Sequence, residues 1–329
     1  MSRDWATNIL AAAGTLAAAF CVAASASAAL IVNDTWKDGT RNDPAPSTYS
    51  EYGTDSDTDG DIESAWFLGG DGSLTTTAGG PLKGQFSSAT SASSASWTTY
   101  FTPEDCEVNL ANIGDQMKVT WVFTPTNVNA SNGSQNMRIA LVDSPAGARL
   151  AADGAPGSGA YTGYAMFLNF GQTTGRSTPF QLLERTNPGT AGSGAFLGTS
   201  GDWTSIANAA GFGNGAVGYV SGTEYTFEMI MTHNATNGLD VVASMSGGNI
   251  NGTGNVSVSF TDATPNSSVA GGGFKFDTFG IRPSGATTTA EIFDTRLFKV
   301  EGPIKVPEPA TLALIGLGAM VFVGIRRRG

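Results

Sequence analysis

Hydrophobic and polar positions alternate with period two through much of this chain. Residues 117–123 (MKVTWVF), 137–142, 164–170 and 225–231 (YTFEMIM) are short, rich in β-branched and aromatic side chains, and bounded by Gly, Pro, Asn or Ser. That pattern predicts half-buried strands. Further strands are predicted at 239–245, 256–260, 274–281 and 291–300, with earlier ones near 30–32, 65–68 and 97–101. Between two of them the Asn237-Gly238 dipeptide predicts a two-residue hairpin turn. Ten or more strands with no helical pattern longer than a turn or two predict one antiparallel jelly-roll β-sandwich rather than two domains. The Gly-, Ser- and Ala-rich stretches 87–96, 151–160 and 189–201 carry no period and read as exposed loops. No repeat of fixed length is evident, which argues against a solenoid or propeller.

The two ends break this pattern. After Arg3 comes an apolar stretch from Ile9 to Val22 and then Ala26-Ser27-Ala28, a small-x-small site that predicts a secretory signal peptide cleaved after Ala28. Phe20 before Cys21 is too bulky for a lipoprotein signal. At the other end, Val306-Pro307-Glu308-Pro309 precedes an apolar run from Ala310 to Ile325 and then Arg326, Arg327 and Arg328. The prolines hold the approach extended, the run can enter a bilayer as a helix, and the arginines stay cytoplasmic by the positive-inside rule. At 1.5 Å per residue the run rises only about 24 Å, short of the roughly 30 Å hydrocarbon core, which favours a transient over a permanent anchor.

This C-terminal order resembles the PEP-CTERM sorting signal of Gram-negative bacteria. The resemblance implies recognition by an exosortase-type membrane protease, a single transmembrane sorting helix held in the inner membrane until cleavage, and release to the cell surface or extracellular matrix. The domain plan expected is a signal peptide at 1–28, a sandwich at 29–302 and a sorting signal at 303–329. Two strand segments, 276–281 (FDTFGI) and 292–300 (IFDTRLFKV), resemble the closing strands of concanavalin A-like (laminin G-like) domains of exported proteins, and 33–41 (NDTWKDGTR) is similar to their opening segment. The fold class expected is therefore all-β and concanavalin A-like.

Composition narrows the partners. A formal net charge of -11 with only 14% charged residues leaves no basic footprint, so nucleic acid is not an expected partner. The 40% hydrophobic content still supports a core, which argues against disorder. Loss of the signal peptide removes Cys21 and leaves Cys106 as the only cysteine, read here as a buried small hydrophobe.

One segment carries metal chemistry: Asp55, Asp57, Asp59, Asp61 and Glu63, with Gly60 between them. Alternate carboxylates followed by a glycine match the first part of a calcium loop of EF-hand or dockerin type. The match stops at Trp66, where the bidentate Glu would stand, so Glu63 or a carboxylate from another loop is needed to complete the shell. The competing reading is a solvated acidic turn. Structural calcium at an affinity suited to the extracellular medium, on the order of millimolar or tighter, is the expectation if the loop is filled.

Catalysis has little to stand on. The Glu-x-Asp-x-x-Glu string that would serve a retaining glycosidase is missing, and Glu224 and Glu228 read as a solvated strand surface. His233 is the only histidine, lies near a hairpin, has no Gly-x-Ser-x-Gly partner, and reads as a surface residue. A non-enzyme is expected: either an exopolysaccharide- or biofilm-associated matrix component, or a lectin-like carbohydrate-binding module. A hydrolase or lyase on the same fold is the weaker alternative. For the lectin reading the stacking pool is Trp36, Trp66, Trp97, Trp121, Trp203, Tyr161 and Tyr164; Trp121, inside an apolar strand, reads as core, and Trp66 and Trp203, beside Asp- and Gly-rich loops, are the better candidates for exposure, although burial is the favoured reading for each.

Overall fold

The structure, a computed structural model, describes residues 28–45, 48–157, 159–187, 197–198, 200–266 and 273–303. The expectations for Ala26, for Pro307, Glu308 and Pro309, and for Arg326, Arg327 and Arg328 lie outside these residues; Ala28 is exposed. The strands are β1 Ala29–Asp34, β2 Trp66–Gly70, β3 Ser73–Thr75, β4 Leu82–Gln85, β5 Ala95–Tyr100, β6 Val108–Asn109, β7 Gln116–Thr126, β8 Met137–Asp143, β9 Thr162–Leu168, β10 Phe180–Arg185, β11 Trp203–Asn208, β12 Tyr225–His233, β13 Leu239–Ser246, β14 Asn255–Asp262, β15 Lys275–Phe276, β16 Thr278–Pro283 and β17 Ile292–Gly302. Among the described residues the only helical pieces are short 3-10 turns, and no helix is long and apolar enough to cross a membrane.

Every pairing is antiparallel, and the chain forms two large sheets. The first has the order β14-β13-β12-β7-β17-β4-β3, with β1 added along β17. β17 is long enough to serve two partners on one edge: residues 292–295 pair with β4, and residues 298–302 pair with β1. The second sheet has the order β11-β10-β9-β8-β16-β5-β2, and β6 with β15 makes a small third sheet. The all-β antiparallel sandwich expected from the alternation is the architecture observed.

Period two explains which face goes inside. In β12, Tyr225, Phe227, Met229, Met231 and His233 are buried while the residues between them are half-exposed. Met117, Val119, Trp121 and Phe123 of β7 are buried beside them. These face residues of the second sheet, such as Met166, Ile139 and Phe279, in one continuous apolar cluster. Each large side chain so buried contributes about 1.5–3 kcal/mol relative to exposure.

The second sheet departs from simple alternation, because β5 and β9 are buried on both faces. The outer face of β9 is covered by a cluster holding Tyr161, Phe167, Leu197 and Trp203, and that of β5 by one holding Tyr49, Phe67 and Tyr100. Tyr49 in the second cover comes from the long connection between β1 and β2, which also carries the acidic loop.

Several local expectations are corrected. The Asn237-Gly238 dipeptide does not make a two-residue turn: His233 pairs with Leu239, so it closes a five-residue loop in which Asn234 Oδ1 accepts from the amides of Thr236 and Gly238. The 274–281 strand is two strands, β15 and β16, in different sheets. Ala95 and Ser96, read as loop, are buried in β5. Cys106 is half-buried rather than buried.

Candidate metal centre

The acidic segment is held in place by two isolated bridges. Asn33 pairs with Ile62, and Ser50 with Ser64, so the loop folds back beside the end of β1 before entering β2. Thr99 of β5 donates its hydroxyl to Ser64 Oγ at 2.8 Å, and Trp36 packs on Trp66 at 6.3 Å between ring centroids. Asp34, at the end of β1, and the 35–43 segment are thereby brought to the 55–63 loop.

Within the loop the carboxylates do two jobs. Asp55 shapes the turn, its two oxygens accepting from the amides of Thr58 (2.7 Å) and Gly60 (3.0 Å). Gly60 has a φ of +99°, a conformation L side chains rarely adopt, and Lys37 Nζ donates to its carbonyl. Glu51, missed by the sequence reading, accepts from the amides of Ser56 (2.7 Å) and Glu63 (2.9 Å). Asp57 and Asp59 each accept an amide two residues on at 3.1 Å, and Asp61 Oδ2 accepts from the Thr35 amide and hydroxyl at 2.7 and 2.6 Å.

What remains is a concentration of negative oxygen. Glu63, Asp61 and Asp34 are 2%, 2% and 1% exposed. Glu63 Oε2, Asp61 Oδ1 and Asp59 Oδ2 are buried with no hydrogen-bond donor among the described residues. Carboxylate oxygens of Asp57, Asp59 and Glu63 lie within 4.8 Å of one another, as do those of Asp34, Asp61 and Glu63, and those of Asp38, Asp43 and Glu63. Asp55 groups instead with Glu51 and Asp57. Four of the five residues expected from sequence therefore meet around Glu63, while Asp55 stands aside; Asp34, Asp38, Asp43 and Glu51 were not anticipated.

The electrostatics record the crowding. Burial, then the charges of Asp34, Asp38, Asp59 and Asp61, push the Glu63 carboxyl up to about 10. Burial raises Asp34 well above the usual carboxylate range, with Asp61 adding to it. Asp59 rises to about 6, chiefly by burial with further repulsion from Asp61 and Asp57. Asp61 moves the other way: burial opposes its ionisation, but the hydrogen bonds from Thr35 and the nearby Lys37 outweigh it. Orphaned buried carboxylate oxygens with no soft ligand nearby fit a hard divalent cation, which takes six to eight oxygens when it is calcium.

The residues weighed for other chemistry are committed elsewhere. His233 is not at the surface: it is 4% exposed, Nδ1 lies 2.8 Å from the Leu110 carbonyl and Nε2 3.0 Å from Asn237 Oδ1, and its ring stacks on Phe274. Glu228 pairs with Lys118, and Glu224 lies 3.5 Å from Arg296. The whole stacking pool is buried: Trp36, Trp66, Trp97, Trp121, Trp203, Tyr161 and Tyr164 are at most 6% exposed, Trp66 and Trp203 included. Burial was the favoured reading for those two, and accordingly Trp66 packs edge-on to Phe298 at 5.2 Å and Trp203 contacts Phe167 at 6.1 Å.

The chain is thus an antiparallel β-sandwich with an acidic centre at one connection, followed by a C-terminal sorting signal. Residues 305–328 match the PEP-CTERM protein-sorting motif, which marks an exported protein sorted to the cell envelope. No curated protein sequence matches this chain. Among solved structures it is similar to a point mutant of the Emp46p carbohydrate recognition domain (14% identity, 71% of this chain and 87% of that one, TM-score 0.41). It is similar also to the exoplasmic/lumenal domain of VIP36 in a Ca2+/Man3GlcNAc-bound form (13%, 74% and 86%, TM-score 0.40) and to a Lotus tetragonolobus seed lectin (10%, 74% and 94%, TM-score 0.40).

Proposed function

We propose that this is an exported, non-catalytic surface or extracellular-matrix protein, with calcium as a structural ion in the acidic connection. The observation that carries the reading is the sorting motif at 305–328, whose Pro307-Glu308-Pro309, apolar run and three arginines follow directly on the sandwich. Its domain plan is a signal peptide at 1–28, a sandwich at 29–302 and a signal at 303–329 cleaved by an exosortase-type protease. The commitment of His233, Glu224 and Glu228 to structural contacts supports a non-catalytic role. Burial of the stacking pool means that contact with an exopolysaccharide would run through hydrogen-bonding groups of the loops rather than an aromatic platform.

The test is fractionation of cells carrying the wild type or the Pro307→Ala/Pro309→Ala variant. The wild type is expected at the surface or in the medium with its C-terminus removed, and the variant retained in the inner membrane. Identical distribution and an identical mature C-terminus would sink the sorting assignment.

A further inference from the structure

The acidic connection holds more ligand groups than one calcium loop requires, and their arrangement is specific. Two ligands on opposite sides of one calcium ion, each about 2.4 Å away, are at most about 4.8 Å apart. The three sets of carboxylates that satisfy this limit around Glu63 use different aspartate pairs: Asp34 with Asp61, Asp38 with Asp43, and Asp57 with Asp59. They do not merge into one set, so a single ion position cannot serve them all. Glu63 is common to all three.

A second, independent feature points to a ligand. Glu63 Oε2 and Asp61 Oδ1 belong to residues 2% exposed and have no donor among the described residues. Orphaned buried acceptors of this kind are costly unless something positive meets them. The nearby cations direct their hydrogen bonds elsewhere, Lys37 Nζ to the Gly60 carbonyl and Arg41 in a fork onto Asp153 at 2.9 and 2.7 Å. Several aspartates also have one oxygen fixed by a backbone amide, as Asp38 does with Thr40 at 2.8 Å and Asp34 with Trp36 at 3.1 Å. Such anchoring fixes the carboxylates before any ion arrives.

We infer that this connection is a multinuclear calcium centre, in which at least two ions share the Glu63 carboxylate and tie the 34–43 segment to the 57–63 loop. The inference rests on the calcium reading above and extends it in stoichiometry and in ligands. Its structural consequence is a clamp: the ions close the long β1–β2 connection over β5, where Tyr49 packs on Tyr100 at 5.2 Å.

The test uses the purified full-length chain, stripped with chelator and titrated with calcium by calorimetry, with magnesium as the control. Two or more calcium ions per wild-type chain are expected, with a rise in Tm that magnesium does not reproduce. Glu63→Gln keeps the shape of the buried group and takes away its ability to ionise against a cation, so it is expected to fold in chelator at least as well as wild type, yet to lose the calcium-induced rise. Asp38→Asn, at a half-exposed position, is expected to lower the stoichiometry or the affinity without unfolding the chain. One ion per chain, insensitive to Asp38→Asn, would overturn the multinuclear centre and leave the single-loop reading standing. No calcium-induced change in the wild type would overturn both.

Discussion

The indole Nε1 of Trp121 donates to the hydroxyl of Thr295 at 2.9 Å in the middle of the core, across neighbouring strands 174 residues apart in sequence. Trp121 is 0% and Thr295 4% exposed. The pair joins β7 to β17 at the β-bulge that interrupts their register between Thr295 and Leu297. Thr295 is thus a polar residue kept inside because the tryptophan needs an acceptor there.

Replacing Thr295 by Val keeps the shape and removes the acceptor, leaving a buried N–H without a partner. The expected loss is about 1–3 kcal/mol. At about 2–4 °C of Tm per kcal/mol for a chain of this size, the change is readable by calorimetry. Thr295→Ser is expected to retain most of the stability. Equal Tm values for Val and wild type would show that the hydrogen bond is energetically idle.

How much of this was legible in sequence depended on whether a feature was local. The long inner strands β7, β12 and β13 announce themselves by alternation because one face is core and the other meets water. β3 has three residues, β4 carries Gly84 against the Trp97 ring, and β11 is an edge strand with mostly exposed side chains, so none has a strong period. β10 reads FQLLER, whose apolar spacing does not commit to a strand. His233 had a signal that went unused: it continues the odd-numbered inward series from Tyr225 to Met231, and that parity outranks nearness to a turn. The 57–63 half of the acidic centre was visible as alternating carboxylates. Asp34, Asp38 and Asp43 were not, because the Asn33–Ile62 bridge brings them in, and no spacing rule encodes a bridge.

A second carboxylate site gives a pH dependence of its own. Glu184 of β10 is pushed up to about 7 by burial and by the nearby charge of Asp262, with the Asn266 amide at 2.9 Å pulling the other way. A folded-state value above the unfolded one means that the folded chain binds more protons between the two values. Stability from this group is therefore full below about pH 4 and is lost as pH rises through about 7. Glu184→Gln mimics the protonated form and still accepts from Asn266. The variant is expected to match wild type at pH 4.5 and to exceed it in Tm at pH 8, and a gap that does not widen with pH would contradict the assignment.

The most exacting electrostatic element is Arg149 with Asp277. Their side chains are 2% and 3% exposed and meet at 2.8 Å, and Arg149 also lies over the rings of Tyr49 and Tyr100, each 5.1 Å away. Asp277 further accepts from the amide and hydroxyl of Ser144 at 2.8 and 2.6 Å. Burial nonetheless outweighs these partners and raises its carboxyl above the usual range. Removing the guanidinium therefore strands a buried charge, and Arg149→Met is expected to cost about 3–5 kcal/mol in urea unfolding. Because the loss comes from the stranded charge rather than from the attraction itself, adding Asp277→Asn should recover part of it. A double variant no more stable than Arg149→Met would show instead that the packing of Arg149 on the two tyrosines carries the effect.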